Sequence, residues 1–125
     1  MEYLKKEEIF FERDGEGKLL PIDVVVDTLP NKPMIKVIPL NKGELAKVVS
    51  EAKSNETEVN TDIDIIINHC KNPIFTEEDR ETLKSAGKAV FTNAIALAIL
   101  SISTGVSQKE ILEAGKQKVI ENSFQ

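Results

Sequence analysis

The feature that most restricts how this chain can fold is the stretch 72–105, NPIFTEEDRETLKSAGKAVFTNAIALAILSISTG, and within it the almost charge-free run 93–102. Thr76 precedes Glu77, Glu78 and Asp79. A threonine hydroxyl accepts a hydrogen bond from a first-turn backbone N–H, and acids there face the positive end of the helix dipole. Pro73 keeps the chain just upstream extended or turned. Leu83, Ala86, Val90, Ala94, Leu97 and Ala98 then fall on one helical face, widened by Phe91, Ile95 and Ile102. Ala96, Ile99 and Leu100 occupy the opposite side. The spacing predicts one long helix, amphipathic in its first half, apolar nearly all round in its second, and terminated by Gly105.

A helix of that kind must be buried on several sides. Its apolar run is shorter than the ~20 residues a bilayer crossing requires. Two ways of covering it stay open. It is the central core helix of its own domain, or part of its surface is completed by another protein chain. On the second reading the partner-binding residues are Phe91, Ile95, Ala96, Ile99, Leu100 and Ile102.

The rest of the chain supplies partners for that helix. Ile22, Val24 and Val26 alternate with Asp23 and Asp27, and Ile35 and Val37 flank Lys36 in 34–38. This is the period of half-buried strands, joined by a turn at 28–33 that contains Pro30, Asn31 and Pro33. A lone hairpin is marginal, so it must pack on helices or gain a strand; an unpaired edge would offer a docking site. Asn41 with Glu44 forms a capping box, with Leu40 and Leu45 as its hydrophobic staple, ahead of a helix burying Leu45, Val48, Val49 and Ala52. The polar stretch 54–60 reads as a connector. A second helix starts at Thr61, turns Ile63, Ile66, Ile67 and Cys70 inward, and ends at Lys71, Asn72 and Pro73. After Gly105, Ser107 and Glu110 box a last helix carrying Ile111, Leu112, Gly115, Val119 and Ile120. The expected fold is therefore α+β: a single, mostly helical domain of about four helices with a small N-terminal antiparallel hairpin. Residues 1–17 read as a charged arm, 18–121 as the domain and 122–125 as a polar tail. No stop signal follows the last helix, so a longer natural protein is compatible with this ending.

Length and charge narrow the function. The 125 residues suffice for one domain with a real core. The net charge is −5, with acids and bases mixed throughout and no basic stripe, which argues against nucleic acid as a partner. Aromatic residues are few and tryptophan is absent, so base-stacking platforms are not expected either. The single cysteine, Cys70, excludes an internal disulfide and suits a reducing compartment. The sequence MEYLKKEEIF is too charged for a signal peptide, and a cytoplasmic protein is expected.

Residues with chemical potential are sparse. His69 and Cys70 are sequence neighbours, about 100° apart on a helix, and no second histidine completes a relay or a common metal site. Cys70 is expected in the core and His69 at a helix end, where a cation is favoured. Asp62 and Asp64 with Glu58 lack the glycine and distal glutamate of a calcium loop and read as helix N-terminal acids. There is no phosphate loop, nucleotide fingerprint or nucleophile elbow. No enzyme activity, cofactor or metal is expected. A rival reading, an enzyme or metal protein using Asp62, Asp64, His69 and Cys70, requires these side chains to converge on one pocket.

Two segments carry a resemblance. Val37-Ile38-Pro39-Leu40-Asn41-Lys42-Gly43-Glu44-Leu45 resembles a K-x-x-P-L-T-x-x-E segment. The helix 62–72 followed by Pro73-Ile74-Phe75-Thr76-Glu77-Glu78-Asp79 resembles a helix followed by P-x-F-T-x-E-D. With the helix ending near Gly105, this succession over 33–112 is similar to the tail assembly chaperones of long-tailed bacteriophages and prophages. The resemblance implies a small, mostly helical, non-enzymatic protein of the host cytoplasm. Such a protein coats the tape measure protein before the tail tube assembles and is absent from the mature virion. The implied partners are the tape measure protein, further copies of the chain, and a longer form of it made by ribosomal frameshifting. The helical layer is then expected to present an apolar groove to a helical guest. A small helical adaptor or regulatory module, bacterial or phage, is the alternative reading.

Overall fold

The alternating apolar residues at 22–26 and 34–37 form two antiparallel strands, β1 (Ile22–Val25) and β2 (Met34–Val37), with Ile22 opposite Val37 and Val25 opposite Met34. The computed structural model describes residues 2–53, 58–115 and 118–120. The connection between the strands tucks Leu29 into the core at 5 % exposure. Asn31 and Lys32 take left-handed backbone angles to bring the chain back, a conformation that asparagine tolerates better than most residues. The hairpin gains a third strand, β3 (Cys70–Asn72), antiparallel to β2, with an irregularity in register between Lys36 and Val37. Its inner face, Ile35 and Val37, is buried; its outer face carries the Asp23–Lys36 ion pair at 2.6 Å and exposed Met34.

The helices are α1 (Lys42–Lys53), α2 (Glu58–His69), α3 (Arg80–Ala86), α4 (Ala89–Thr104) and α5 (Gln108–Ala114). The α+β class is as the sequence implies, with one more helix than expected. The capping box at α1 is formed reciprocally: Glu44 N–H donates to Asn41 Oδ1 at 2.8 Å and Asn41 N–H to Glu44 Oε1 at 3.0 Å. The expected connector 54–60 is helical from Glu58, while its residues 54–57 lie outside the described residues, as do the polar tail 122–125 and Met1. Helix α2 consequently begins before Thr61 and stops at His69, where the chain turns into β3. The boundary expected at residue 17 falls inside a small antiparallel turn, with Arg13 bridged to Leu19 and Leu20 N–H donating to Glu12 O at 3.0 Å. Ahead of it lies a 3-10 turn (Lys6–Ile9), and of the apolar residues at 9–11 only Phe11 is even half-buried.

The single helix expected from Thr76 to Gly105 is instead broken. A 3-10 turn (Glu77–Asp79) leads into α3; Gly87 is extended, with φ −71° and ψ 137°, and Lys88 starts α4. A Cβ at Gly87 would lie 2.4 Å from the Leu83 carbonyl oxygen, so only glycine lets the chain leave α3 along this path. Arg80 fastens α3 to α2: its Nε and Nη2 each donate to the Glu77 carboxylate at 2.8 Å, and Nη2 reaches Asp64 Oδ1 at 2.6 Å. With the break, Ala86 and Val90 lose the inward direction that a continuous helix would give them and are exposed.

Helix α4 is the centre of the core. It packs against α2, α5 and β1, which is why Ala94, Ala96, Leu97, Ala98, Ile99 and Leu100 are all buried. Gly105, in the left-handed conformation at φ 79°, ends α4, and α5 leaves at a bend of 108°. Gln108, 5 % exposed, locks α5 to the sheet: its Nε2 donates to Val25 O at 2.8 Å and its Oε1 accepts from Asp27 N–H at 3.1 Å. The last helix is interrupted rather than continuous. Gly115, at φ 95°, closes α5, and residues 118–120 are again helical, with Val119 and Ile120 buried.

Gly87→Ala is expected to lower the unfolding free energy by about 1–3 kcal/mol, because the new Cβ displaces backbone rather than a flexible side chain. Gly15→Ala, whose Cβ meets nothing within 4 Å, is expected to change it by less than about 0.5 kcal/mol. Urea unfolding of the two variants checks the contrast.

Candidate functional site: an apolar groove between α4 and α5

The side chains singled out as partner-binding divide into two groups. Ala96, Ile99 and Leu100 are 0 %, 0 % and 1 % exposed and cannot meet another chain in this fold. The expectation that the back of the apolar helix faces a partner is overturned for these three. Helix α2, the sheet and α5 surround the segment, so its all-round apolarity is satisfied within one chain. Phe91 is 44 % exposed, with the Lys88 ammonium 5.6 Å from its ring centroid. Ile95 and Ile102 are half-buried against the core.

The accessible apolar surface lies one turn earlier on α4. Val90 and Asn93 stand exposed on that helix beside buried Ala94 and Leu97, at the spacing that places the four on one face. Ile111, Leu112 and Gly115 of α5 form the facing wall, and Thr28 from the strand connection closes one end. The space between them is about 350 Å³. Val90 and Leu112, on opposite walls, are 63 % and 65 % exposed. Val90 was expected on the apolar stripe of one continuous helix, and Leu112 among the apolar residues of the last helix. The break at Gly87 and Lys88 was the available signal for Val90, since it resets the helical register that made Val90 part of a buried stripe. Leu112 carries no comparable signal, because Ile111 and Leu112 compete for the same inward direction and only the packed structure assigns it to Ile111.

This groove is built by local rules. Ser107 Oγ accepts from Glu110 N–H at 3.2 Å and caps α5. The hydroxyls at the end of α4 fix the bend: Ser101 Oγ donates to Val106 O at 2.7 Å, and Thr104 Oγ1 donates to Leu100 O at 2.8 Å. Ser103 Oγ donates to Ile99 O at 2.7 Å and accepts from Leu40 N–H at 2.9 Å, tying α4 to the entry of α1. Gln108 holds the other wall. Its carboxamide also occupies the outer edge of β1, since Val26 N–H faces β2, donating to Pro33 O, and Val25 O and Asp27 N–H face away. An added strand would need those two groups, so the sheet edge suggested as a docking site is closed there.

The other chemical candidates are dispersed. Asp64 pairs with Arg80, which also draws the Glu77 carboxyl below its usual range. Asp62 is buried at 3 % exposure. Neither is in the first turn of α2, where both were expected. Cys70 is in the core, and burial pushes its thiol up, which suppresses the reactive thiolate. His69 is the last residue of α2, at a helix end as expected, and is also buried. Its Nδ1 is 3.0 Å from Ile38 O and therefore carries the proton; its Nε2 is 3.4 Å from Glu44 Oε2. Burial lowers the His69 pKa and outweighs the Glu44 carboxylate, the main group raising it. The ring is thus neutral near pH 7, and the Glu44 contact is not an ion pair there; the expected cation at this helix end is not what the fold favours. Among the described residues no group of three or more His, Cys, Asp or Glu side chains is placed to hold a metal ion, and no single helix is long and apolar enough to cross a membrane.

Comparison of the chain with family models, with characterised proteins and with solved structures finds no match. The groove's chemistry therefore has to be read from its own residues.

Two outcomes follow from this geometry. The unfolded chain binds a proton at His69 more readily than the folded one, because the folded pKa is the lower. The His69 contribution to stability is thus complete above its ordinary pKa and is lost as pH falls through that value towards the folded one. Urea unfolding between about pH 7 and pH 5.5 is expected to show this decline. His69→Asn, which retains a donor for Ile38 O, is expected to flatten it. Separately, Ile99→Asp places a carboxylate in the core and is expected to cost about 3–5 kcal/mol; loss of the cooperative thermal transition would report it.

Proposed function

We propose that this protein is a non-enzymatic assembly chaperone of the phage tail kind, and that the α4–α5 groove shields an apolar helical segment of the tape measure protein. The observation that carries the reading is the open groove itself, whose exposed apolar rims are Val90 and Leu112 above a buried floor of Ala94, Leu97 and Ile111. Two helices meeting at a bend leave a trough suited to a third helix, whose own apolar residues recur at i, i+3, i+4 and i+7. A long helical guest awaiting assembly has such stripes in quantity and aggregates through them unless they are covered. The resemblance over 33–112 supports the same partner and the host cytoplasm as the place of action. It also supports self-association and a frameshifted longer form as further partners.

The reading places binding on the groove walls and not on Ala96, Ile99 or Leu100. Co-expression with the tape measure protein encoded beside it tests this. The wild-type chain is expected to keep that protein in the soluble fraction. Leu112→Asp and Val90→Asp are each expected to cut the soluble amount about tenfold, the effect of roughly 1.4 kcal/mol in binding. Ile74→Asp, at a site 73 % exposed and outside the groove, is expected to leave it unchanged. Equal solubility with and without the chain, or equal loss from all three variants, would refute the proposal. Absence of any tail gene nearby would favour a small adaptor.

A further inference from the structure

We infer that the recess between the N-terminal turn and the entry of α1 is a binding site for a small amphiphile with one apolar chain and an anionic head, a fatty carboxylate in chemical class. The recess holds about 590 Å³, within the size range of small-molecule sites, and it is separate from the α4–α5 groove. Its floor is apolar: Leu40 and Leu45 are 2 % and 5 % exposed. Its outer wall is chain that contributes nothing to the core, since none of the described residues 2–20 is buried. Phe11 and Leu19 are half-buried on that wall, and Ile9 and Phe10 stay exposed at the rim.

The charge of the lining has one sign. Arg13 comes from the N-terminal turn and Lys42 from the first residue of α1. No acid among the described residues lines the recess, in a chain with 21 Asp and Glu against 16 Lys and Arg. The neighbouring acids are engaged elsewhere. The Glu44 carboxylate accepts from Asn41 N–H and lies against His69, and the Asp14 carboxylate accepts from Glu16 and Lys18 N–H. Arg13 is placed by Phe10, its Cζ 5.5 Å from the ring centroid. Such a contact uses the face of the guanidinium, whereas a carboxylate is bound through the N–H donors along its edge.

The polar groups of the lining favour a hydrocarbon chain over a peptide. Ser103 Oγ donates to Ile99 O and accepts from Leu40 N–H; Thr104 Oγ1 donates to Leu100 O and accepts from Val106 N–H. Asn41 Oδ1 accepts from Glu44 N–H. An extended peptide laid against these residues would bury backbone N–H and C=O groups beside side chains already in use, at a cost for each group left unpaired. A hydrocarbon chain has no such groups, and its one charge sits at the rim beside Arg13 and Lys42.

Nuclear magnetic resonance of the isotope-labelled full chain tests the site, with sodium dodecanoate and dodecylammonium chloride as probes, each below the concentration at which it forms micelles. Dodecanoate is expected to bind one to one with a Kd below about 100 µM. It is expected to shift the amide resonances of 9–19, 39–45 and 103–104 and to leave those of Val90 and Leu112 in place. Dodecylammonium, with the same chain and the opposite charge, is expected to bind at least about tenfold more weakly. Arg13→Glu and Lys42→Glu are each expected to raise the dodecanoate Kd about fivefold or more, and R13E/K42E to reverse the preference towards dodecylammonium. Lys109→Glu makes the same change in net charge on α5, outside the recess, and is expected to alter the Kd by less than about twofold. An unchanged thermal transition separates a lost site from a lost fold. Should Lys42→Glu unfold the chain, Arg13→Glu decides alone, because Arg13 is exposed and outside the core. No binding up to about 1 mM, equal binding of the two amphiphiles, shifts centred on the α4–α5 groove, or a Kd indifferent to Arg13→Glu would overturn the inference. The solubility test of the α4–α5 groove is independent of each of these results.

Discussion

One helix has to be covered on every side by a small chain, and the placement of nearly everything else follows from that. Leu97, Ile99 and Leu100 are each almost wholly buried, and a side chain of this size contributes about 1.5–3 kcal/mol on leaving water. Exposed ion pairs such as Lys36–Asp23 contribute about 0–1 kcal/mol. The packing of α2, the sheet and α5 around α4 therefore outweighs the surface charges in fixing the architecture. Small residues matter to it as much as large ones. Ala94, Ala96 and Ala98 let neighbouring elements approach α4 closely between the larger side chains.

A helix so apolar still has a polar end to accommodate, and it does so with hydroxyls. Ser101, Ser103 and Thr104 each donate to a carbonyl oxygen, so none enters the core with its hydrogen-bonding capacity unmet. Two of them also receive a backbone N–H, from Leu40 and from Val106. Ser103 thereby fastens α4 to the distant entry of α1, while Ser101 and Thr104 hold the local bend. Gln108 does the same for α5, replacing with one carboxamide the two hydrogen bonds that another strand would make to β1. The outcome is a sheet edge partly closed by the protein's own side chain and a surface groove left open elsewhere.

Much of this was legible in the sequence. Periodicity placed the two strands and the apolar character of 93–102, and local capping residues placed the Asn41–Glu44 box, the Ser107 cap and the stop at Gly105. Those features depend on residues close together in the chain. The third strand was not legible, because Cys70, Lys71 and Asn72 have no strand period and pair only when β2 is alongside. The break at Gly87 was partly legible. Glycine inside a helical pattern is a known weak point, but the 2.4 Å approach to the Leu83 carbonyl belongs to the folded chain. His69 misled for a related reason: a helix C-terminus favours a cation, yet burial lowers the ring's pKa and outweighs the opposing pull of Glu44 and of Ile38 O.

The same distinction explains why the exposed apolar surface lies elsewhere than the sequence suggests. An apolar helix in isolation points to its most apolar segment as the surplus. In the folded chain that segment is the one best supplied with neighbours, since the centre of a helix can be reached from every side. Surplus collects where covering elements run out, and α4 runs out of cover at its first turns. There α3 has been directed away by Gly87 and α5 arrives only obliquely, after a 108° bend. Val90 and Leu112 are exposed for that geometric reason and not because of any excess of hydrophobicity over Ile99 or Leu100. Whatever occupies the groove is thus selected by the angle between two helices, which Gly105, Ser101 and Gln108 set, as much as by the side chains that line it.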